Sequence, residues 1–204
     1  MTPTSRPARI GVFGGTFDPI HRGHVQVADE CASALDLDVV LMIPSFRPPH
    51  RPQPQASPAD RLAMVRLAVE GHPRLQASDI EVNRGGVSYT VDTIRALVAE
   101  SPSAELTLLL GWDAAREFGE WHDAAEIARL ARVAVFNRSG AGAASSGDLA
   151  VLGLPADAVY VEVSSPLLSA TSVRQILTRE GAGEDLLPSA VASFIRDRGI
   201  YREK

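Results

Sequence analysis

The sequence predicts an α/β fold, a doubly wound parallel sheet with helices on both faces and a small C-terminal helical part. Short runs rich in Val, Ile and Leu alternate along the chain with longer segments of helical periodicity. Because the short runs are apolar at nearly every position, both of their faces must be buried, as in a parallel sheet between two helical layers. No repeat of fixed period is visible. Because neither flank of the Ser/Gly/Ala stretch at 139–147 is a complete alternating unit, we expect residues 1–204 to form one domain.

The N-terminal elements follow from apolar runs and their punctuation. Ile10–Phe13 is a buried strand that ends in two glycines, and Gly23–Leu37 is a helix with a broad apolar stripe. Val39–Ile43 is the next buried strand. Pro44–Pro58 contains six of the 14 prolines and predicts a long, partly stiffened loop. Ala59–Val69 is a helix, preceded by a Ser-Pro pair that is typical of a helix start.

The middle of the chain contains weaker signals. Leu75–Val82 predicts irregular or edge-strand structure, and Asn83–Gly86 predicts a turn because it combines Asn with two glycines. Thr90–Glu100 is a helix, since its apolar residues recur at helical spacing. Leu106–Leu110 is a third buried strand, and the helical pattern of Trp112–Leu130 follows it.

The last third of the chain continues the alternation. Val133–Phe136 is a fourth strand, and Ser139–Gly147 contains only Ser, Gly and Ala, which predicts a flexible loop. A strand at Val159–Val163 follows, and two helices, Thr171–Arg179 and Ser189–Arg198, complete the chain. The sequence gives no functional account of the Ser/Gly/Ala loop.

Composition excludes several classes of protein. Twenty Lys and Arg against 25 Asp and Glu give a net charge of −5, so no general nucleic-acid surface is expected. A single cysteine, Cys31, excludes a disulfide framework, and we expect it to be a small buried core residue. The apolar runs, about five residues long, are far shorter than the ~20 of a membrane span. Met1–Arg9 lacks the apolar stretch of a signal peptide, so we expect a cytoplasmic protein.

The loop after the first strand contains the residues best suited to bind an anion. Gly14 and Gly15 allow a close approach of the backbone, Thr16 offers a hydroxyl, and the following helix start offers unpaired backbone N–H groups. The glycine spacing matches neither the dinucleotide-binding nor the P-loop pattern, so a dehydrogenase is not expected.

Two histidines, His21 and His24, stand three residues apart at this helix start and can project from one face. They fit a metal site, but no third ligand is near in sequence. A second interpretation gives them a capping or core role. The interpretation that we favour is a pair of imidazole donors directed at phosphate oxygens.

These residues resemble a known signature. The stretch GGTFDPIHRGH is similar to the HxGH signature of the nucleotidylyltransferase superfamily, and Leu168–Arg174 matches its second motif, ISxTxxR. The resemblance implies a Rossmann-like sheet. Ser169 or Thr171 is a good N-cap, which puts Arg174 in the first helical turn, where a cation opposes the helix dipole unless an anion binds there. An Arg174 side chain that merely extends to solvent is the alternative.

The resemblance extends over residues 9–202 to the bacterial nicotinate-nucleotide adenylyltransferases. The shared pieces are GGTFDPIHRGH, Pro48-Pro49-His50-Arg51, Arg61, Ser88-Tyr89-Thr90, Gly111-x-Asp113, Phe118-x-x-Trp121-His122, Ser169–Arg174, Leu186-Leu187-Pro188 and Gly199-Ile200-Tyr201. It implies transfer of AMP from ATP to nicotinate mononucleotide, with Mg²⁺ carried in by ATP rather than held by protein ligands. Nicotinamide-mononucleotide and pantetheine-phosphate adenylyltransferases, and a non-catalytic nucleotide-binding protein, remain alternatives. Whether the chain forms a homo-oligomer is open.

The same resemblance implies a role for each matching residue. The catalytic residues are His21, His24 and Arg174. The residues that contact ATP and its phosphates are Gly14, Gly15, Thr16, Phe17, Ser169, Thr171 and Arg51. The residues that contact nicotinate mononucleotide are Tyr89, Thr90, Asp113, Trp121 and His50.

Physical chemistry supports several of these roles independently. The face of Trp121 suits a pyridine ring, although half-buried packing is an equally ordinary use of tryptophan. The helix start at Thr90 suits a carboxylate. Asp113 can accept from a ribose hydroxyl, or serve simply as an N-cap. The chain departs from the family pattern at Arg51, where lysine is common, at Ala170, and at the bulky Trp112 beside Asp113.

Overall fold

The structure is a computed structural model that describes residues 6–49, 52–138, 149, 152–165, 168–180 and 183–202. Its strands are β1 (Arg9–Gly15), β2 (Val39–Pro44), β3 (Leu75–Ala77), β4 (Glu105–Gly111), β5 (Arg132–Arg138) and β6 (Val159–Val163). The α-helices are α1 (Arg22–Ala34), α2 (Pro58–Val69), α3 (Ile80–Arg84), α4 (Thr90–Glu100), α5 (Trp112–Arg116), α6 (Ala124–Leu130), α7 (Ala170–Glu180) and α8 (Ser189–Arg198). Among the described residues, Phe118–Glu120 and Glu184–Leu186 form 3₁₀ helices.

The six strands form one sheet in the order β3-β2-β1-β4-β5-β6, and each neighbouring pair is parallel. The chain runs outward from β1 to β3, crosses back, and then runs outward again from β4 to β6. The predicted doubly wound sheet is confirmed. Arg9 pairs with Glu105, so the two seven-residue strands β1 and β4 end level with each other. Their loops leave in opposite directions, which opens a crevice between them.

Both faces of the sheet are covered by apolar side chains. Val12 and Phe13, successive residues of β1, belong to two separate core clusters because neighbouring side chains of a strand point to opposite faces. Helices α1, α2, α7 and α8 cover the face of Phe13, and α4, α5 and α6 cover the face of Val12. Cys31 is fully buried in the first cluster, and burial raises the pKa of its thiol to about 12. Its predicted role as a core residue is confirmed.

Most predicted boundaries agree with the structure, and Thr90–Glu100, Val159–Val163 and Ser189–Arg198 agree at both ends. The prediction for Leu75–Val82 is wrong in its second half, because only Leu75–Ala77 is an edge strand and α3 begins at Ile80.

The turn predicted at Asn83–Gly86 is likewise displaced, since α3 continues through Arg84. Gly85, with φ of +70°, then ends the helix. Glu81 accepts a hydrogen bond of 2.7 Å from the Thr93 hydroxyl of α4, a tertiary contact that local sequence does not encode.

Other helical predictions needed smaller corrections. The helix predicted at Gly23–Leu37 ends at Ala34, and Asp36 follows with a φ of +51°. The helical pattern of Trp112–Leu130 is divided into α5, a 3₁₀ turn and α6, with Asp123 at a φ of +53°. The Ser139–Gly147 loop lies outside the described residues. None of the described helices has the length and apolar character needed to cross a bilayer.

Gly11 tests the tight packing of β1 against the start of β2 and the residues just before it. A Cβ at this position would lie 2.8 Å from Leu37 Cδ1 and 2.9 Å from Val40 Cγ2. We expect Gly11→Ala to lower the free energy of unfolding by about 1–3 kcal/mol, because an overpacked core must shift. At Gly119 a Cβ meets nothing within 4 Å, so Gly119→Ala is the matched control. Urea unfolding measures both, and equal effects would contradict the packing argument.

Candidate active site

The histidine pair lies where β1 passes into α1. His21 is the N-cap of α1 and is completely buried, and the ring of His24 stacks on it with centroids 3.7 Å apart and planes 22° apart. The His21 backbone N–H donates to His24 Nδ1 at 3.3 Å. Because Nδ1 of His24 accepts, the proton of its neutral imidazole belongs on Nε2. The pair thus combines a capping position with a defined donor tautomer.

Gly23 allows this stacked arrangement. A Cβ on Gly23 would lie 3.1 Å from His21 Nδ1 and 3.3 Å from Ser165 Oγ, closer than side chains ordinarily pack. The Ser165 hydroxyl donates to the Gly23 carbonyl at 3.1 Å, so the segment after β6 is attached to the start of α1. A side chain at position 23 would therefore require His21 or Ser165 to move by a few tenths of an ångström.

The two glycines at the end of β1 have different tasks. A Cβ on Gly14 would meet nothing within 4 Å, and the residue is exposed, so its backbone is open to a ligand. A Cβ on Gly15 would lie 3.0 Å from the Phe17 ring. Phe17 is 3% exposed, takes a φ of +49°, and packs edge-on against Phe13 and His24. The structure therefore places Phe17 in the support of the loop.

Asp18 joins four segments at one carboxylate, although it is only 4% exposed. Its Oδ2 accepts from the Gln55 backbone N–H at 2.8 Å, and its Oδ1 accepts from that of Ala56 at 3.0 Å. The Tyr201 hydroxyl donates to Oδ1 at 2.6 Å. Arg174 lies 3.8 Å from Oδ2 and donates to the Asp18 carbonyl at 2.7 Å. A buried carboxylate requires such partners, and here they come from distant parts of the chain.

Arg61 holds the same loops from inside α2. Its guanidinium is fully buried and donates to the carbonyls of Thr16 at 2.7 Å and Phe46 at 3.1 Å. Its Nε donates to the Ala56 carbonyl at 3.3 Å. Burial lowers the pKa of the guanidinium, and the nearby Asp18 charge opposes that effect. Arg61 thus fixes the loop after β1 against the loop after β2.

The second motif begins α7 and turns back to the first. Ser169 occupies the N-cap position, and its Oγ accepts from the Ser172 backbone N–H at 3.0 Å. Thr171 lies inside the helix, so Ser169 is the cap of the two candidates. Arg174 is the fifth residue of α7, so it lies at the start of the second turn and its predicted place in the first turn is wrong. Its bonds to Asp18 also contradict the alternative of a side chain that merely extends to solvent.

Thr171 contacts the same guanidinium. Its Oγ1 accepts from Arg174 Nη2 at 3.3 Å, whereas the Asp18 carbonyl accepts from Nη1. Both terminal nitrogens of the guanidinium are therefore hydrogen bonded. The hydrogen bond from Arg174 to the Asp18 carbonyl therefore joins the two motifs, which are 156 positions apart at these residues. Ser169 and Thr171 are both exposed beside them.

Four of the residues expected to contact the acceptor are in or beside α4, α5 and the 3₁₀ turn that follows: Tyr89, Thr90, Asp113 and Trp121. Thr90 is the first residue of α4, as predicted, and the ring of Tyr89 before it lies 4.5 Å from that of His122. Trp121 is half-buried, with its ring 5.8 Å from Phe118. The N-cap of α5 is Gly111, so the N-cap alternative for Asp113 is wrong.

Asp113 itself is exposed in the first turn of α5, just after β4. It therefore stands at the carboxyl edge of the sheet, beside the crevice between β1 and β4.

The loop after β2 is attached to the start of α4. The Phe46 backbone N–H donates to Ser88 Oγ at 2.8 Å, and the Ser88 N–H donates to the Arg47 carbonyl at 2.9 Å. Glu81 is hydrogen bonded to both Ser88 and Thr93, and burial raises the pKa of its carboxyl. These contacts fix the segment before Thr90. His50 and Arg51, also predicted for the site, lie outside the described residues.

Sequence reasoning assigned no role to Asp18 or Tyr201 and noted Arg61 only as a shared position. An arginine among apolar residues in the helical stripe of α2 was the available signal for Arg61. Asp18 and Tyr201 are 183 residues apart, so no local pattern could join them. Within the described residues, no group of three or more His, Cys, Asp and Glu could hold a metal ion.

Comparison with known proteins shows the family of this chain. The model of the cytidylyltransferase-like family matches residues 12–176, so the chain belongs to that family, a class of nucleotidyltransferases. Curated relatives with the name "probable nicotinate-nucleotide adenylyltransferase" match it nearly end to end. One from Synechococcus is 42% identical, covering 95% of this chain and 96% of the relative. One from Pseudomonas syringae pv. tomato is 39% identical, covering 98% and 96%.

Solved structures agree on the fold. The nicotinic acid mononucleotide adenylyltransferase of Plasmodium falciparum complexed with NaAD superposes with a TM-score of 0.78 at 14% identity, covering 95% of this chain and 97% of that one. The same enzyme complexed with APC gives a TM-score of 0.77. At this identity the likeness establishes the Rossmann-like architecture, and it confirms that prediction.

Arg61 provides a test of the network beneath the site. In Arg61→Lys, the ammonium cannot span the carbonyls of Thr16 and Phe46, so buried acceptors lose their donors. We expect the free energy of unfolding to fall by about 2–4 kcal/mol. Arg66, in the same helix, has an exposed side chain paired with Asp79.

Arg66→Lys is the matched control for this test, with an expected change of at most about 0.5 kcal/mol. Urea unfolding measures both variants. An Arg61→Lys protein as stable as its control would contradict the assigned role.

Proposed function

We propose that this chain transfers AMP from ATP to the 5′-phosphate of nicotinate mononucleotide, giving deamido-NAD and pyrophosphate in NAD biosynthesis. The observation that carries the proposal is the convergence of the two motifs, with Arg174 bonded 2.7 Å from the Asp18 carbonyl in the loop that leads to the histidine pair. The relatives at 42% and 39% identity support the choice of substrates through their names.

The chemistry needs alignment more than proton transfer. A phosphate monoester has a second pKa near 6, so the acceptor is already an oxyanion at neutral pH. One of its oxygens attacks the α-phosphorus of ATP in line, while the bond from that phosphorus to the bridging oxygen breaks and pyrophosphate leaves. No covalent intermediate with the protein and no general base are required. The protein must orient two polyanions and stabilise the charge that develops.

The phosphate side of the site is assigned to both motifs. His24 donates from Nε2, and the open backbone at Gly14, together with Gly15 and Thr16, receives the triphosphate, while Phe17 supports this loop from below. His21 holds His24 in place by stacking. Arg174, with the hydroxyls of Ser169 and Thr171, neutralises the leaving pyrophosphate. We also assign Arg51 to the phosphates.

The acceptor side is assigned to the segments around α4 and α5. The N-terminus of α4 at Thr90, with Tyr89 beside it, receives the nicotinate carboxylate, because helix starts favour anions. Trp121 stacks on the pyridine ring, and Asp113 accepts from a ribose hydroxyl. His50 completes this side of the site.

The proposal also covers the setting of the reaction. Nucleotidyltransferases of this kind generally use a divalent metal with ATP, and we propose Mg²⁺, held mainly by phosphate oxygens, where it lowers their negative charge. We place the enzyme in the cytoplasm, and we propose that residues 1–204 form a single domain, since both motifs contribute to one cleft. Nucleic acid and membrane are not expected partners.

One assay tests the function directly. Pyrophosphate release is measured with ATP and Mg²⁺, using nicotinate mononucleotide and nicotinamide mononucleotide at equal concentrations. We expect faster release with the nicotinate acceptor, because the start of α4 favours its carboxylate. Stabilisation by ATP in a thermal-shift measurement without any product would instead indicate a nucleotide-binding protein, and equal rates with both acceptors would contradict the assigned specificity.

His24 tests the proposed stabilisation of the phosphates. We expect His24→Ala to lower kcat by about two to four decades, because it removes a preorganised donor from the developing charge. His72 is exposed on the turn after α2, so His72→Ala is the control and retains wild-type turnover. Pyrophosphate release by His24→Ala within threefold of wild type would be incompatible with this role.

Trp121 tests the proposed position of the acceptor. We expect Trp121→Leu to raise KM for nicotinate mononucleotide by about tenfold, because an aliphatic side chain cannot stack on the ring. KM for ATP serves as the internal control and changes little. Steady-state kinetics with each substrate varied in turn provides both KM values. An equal rise in both would contradict the stacking of Trp121 on the acceptor ring.

A further inference from the structure

The end of the described chain folds back toward the candidate site. Helix α8 ends at Arg198, and Gly199 follows with a φ of +63°. The backbone N–H of Gly199 donates to the Arg196 carbonyl, and that of Ile200 donates to the Ile195 carbonyl. This closing turn reverses the chain, so that Tyr201 is only 6% exposed.

Tyr201 contacts the surroundings of Arg174 at two points. Its hydroxyl donates to Asp18 Oδ1 at 2.6 Å. Its carbonyl lies 3.0 Å from Thr178 Oγ1, which also lies 2.8 Å from the Arg174 carbonyl. The side chain of Tyr201 therefore meets the first motif while its backbone meets the helix of the second.

The hydroxyl has a particular effect on the Asp18 carboxylate. Oδ1 is shared by Tyr201 and the Ala56 N–H, whereas Oδ2 accepts from Gln55 and lies 3.8 Å from Arg174. A neutral donor on Oδ1 satisfies the carboxylate without drawing the arginine into a close ion pair. Burial and the bond to Asp18 both raise the pKa of the Tyr201 hydroxyl, so it remains a donor at neutral pH.

We propose that Tyr201 is a positioning residue for AMP transfer, whose hydroxyl sets the Asp18 carboxylate and thereby keeps Arg174 directed at the substrate phosphates. The inference rests on the proposed function of this site. Without the hydroxyl, Asp18 Oδ1 loses one of its two hydrogen-bond donors. The carboxylate then attracts the Arg174 guanidinium into a closer ion pair. The loss falls on the transition state, in which charge on the leaving pyrophosphate is greatest, more than on the binding of either substrate.

The first experiment compares Tyr201→Phe with Tyr160→Phe in the pyrophosphate-release assay. Tyr160 lies on β6 and packs against the core cluster that contains Val12, on the opposite face of the sheet from the cluster of Tyr201. Tyr160→Phe therefore removes a tyrosine hydroxyl away from Asp18 and is the matched control. We expect Tyr201→Phe to lower kcat about tenfold, with both KM values within threefold of wild type. Thermal unfolding of each variant sets an assay temperature at which it is folded. Wild-type kcat in folded Tyr201→Phe would overturn the proposal.

A double-mutant cycle then separates positioning from general support. Because Tyr201 acts through Arg174, Tyr201→Phe should cost little further turnover in an Arg174→Lys background. Fully multiplicative losses in kcat would show independent effects and overturn the proposal. A wild-type protein that releases no pyrophosphate overturns the proposed function and this inference with it. An active wild type with an unaffected Tyr201→Phe overturns the inference alone.

Discussion

The rest of the site depends on the hydrogen bonds that the buried carboxylate of Asp18 accepts. A charge that is 4% exposed is tolerated only when its oxygens are fully hydrogen bonded, and Asp18 meets this requirement with donors from the loop before α2 and from Tyr201. Its carbonyl meanwhile accepts from Arg174. Because this carboxylate must be hydrogen bonded, segments that are distant in sequence come together at the carboxyl end of β1.

Buried hydrogen bonds also hold the loops of the cleft together, and positively charged groups are concentrated there. Arg61 satisfies three carbonyls of two loops that could not otherwise be buried together. The starts of α1 and α7, with the imidazole pair and Arg174, concentrate positive potential in a chain whose net charge is −5. Total charge therefore describes the surface as a whole, whereas substrate phosphates would meet the local potential of the cleft.

The alternation of strands and helices was predictable because burial on two faces leaves a continuous apolar run, and burial on one face leaves a period of 3.6. The predictions failed where a tertiary contact decided the local structure. Glu81 stabilises α3 by its bond to Thr93, in a stretch that resembles an irregular edge strand. Asp123, with a φ of +53°, separates α6 from the preceding 3₁₀ turn, although the helical pattern continues across it.

The sequence by itself determined the sheet, the two motifs and the family, because each of these is written in neighbouring residues with a fixed spacing. It also predicted that His21, His24 and Arg174 face an anion, whereas the structure buries His21 completely with the ring of His24 stacked on it. Only the tertiary structure decided how the two motifs meet, which of Ser169 and Thr171 caps α7, and that Asp18 and Tyr201 belong to the site. The physical reason is that a hydrogen bond between residues 183 positions apart depends on the completed fold and leaves no pattern in the local sequence.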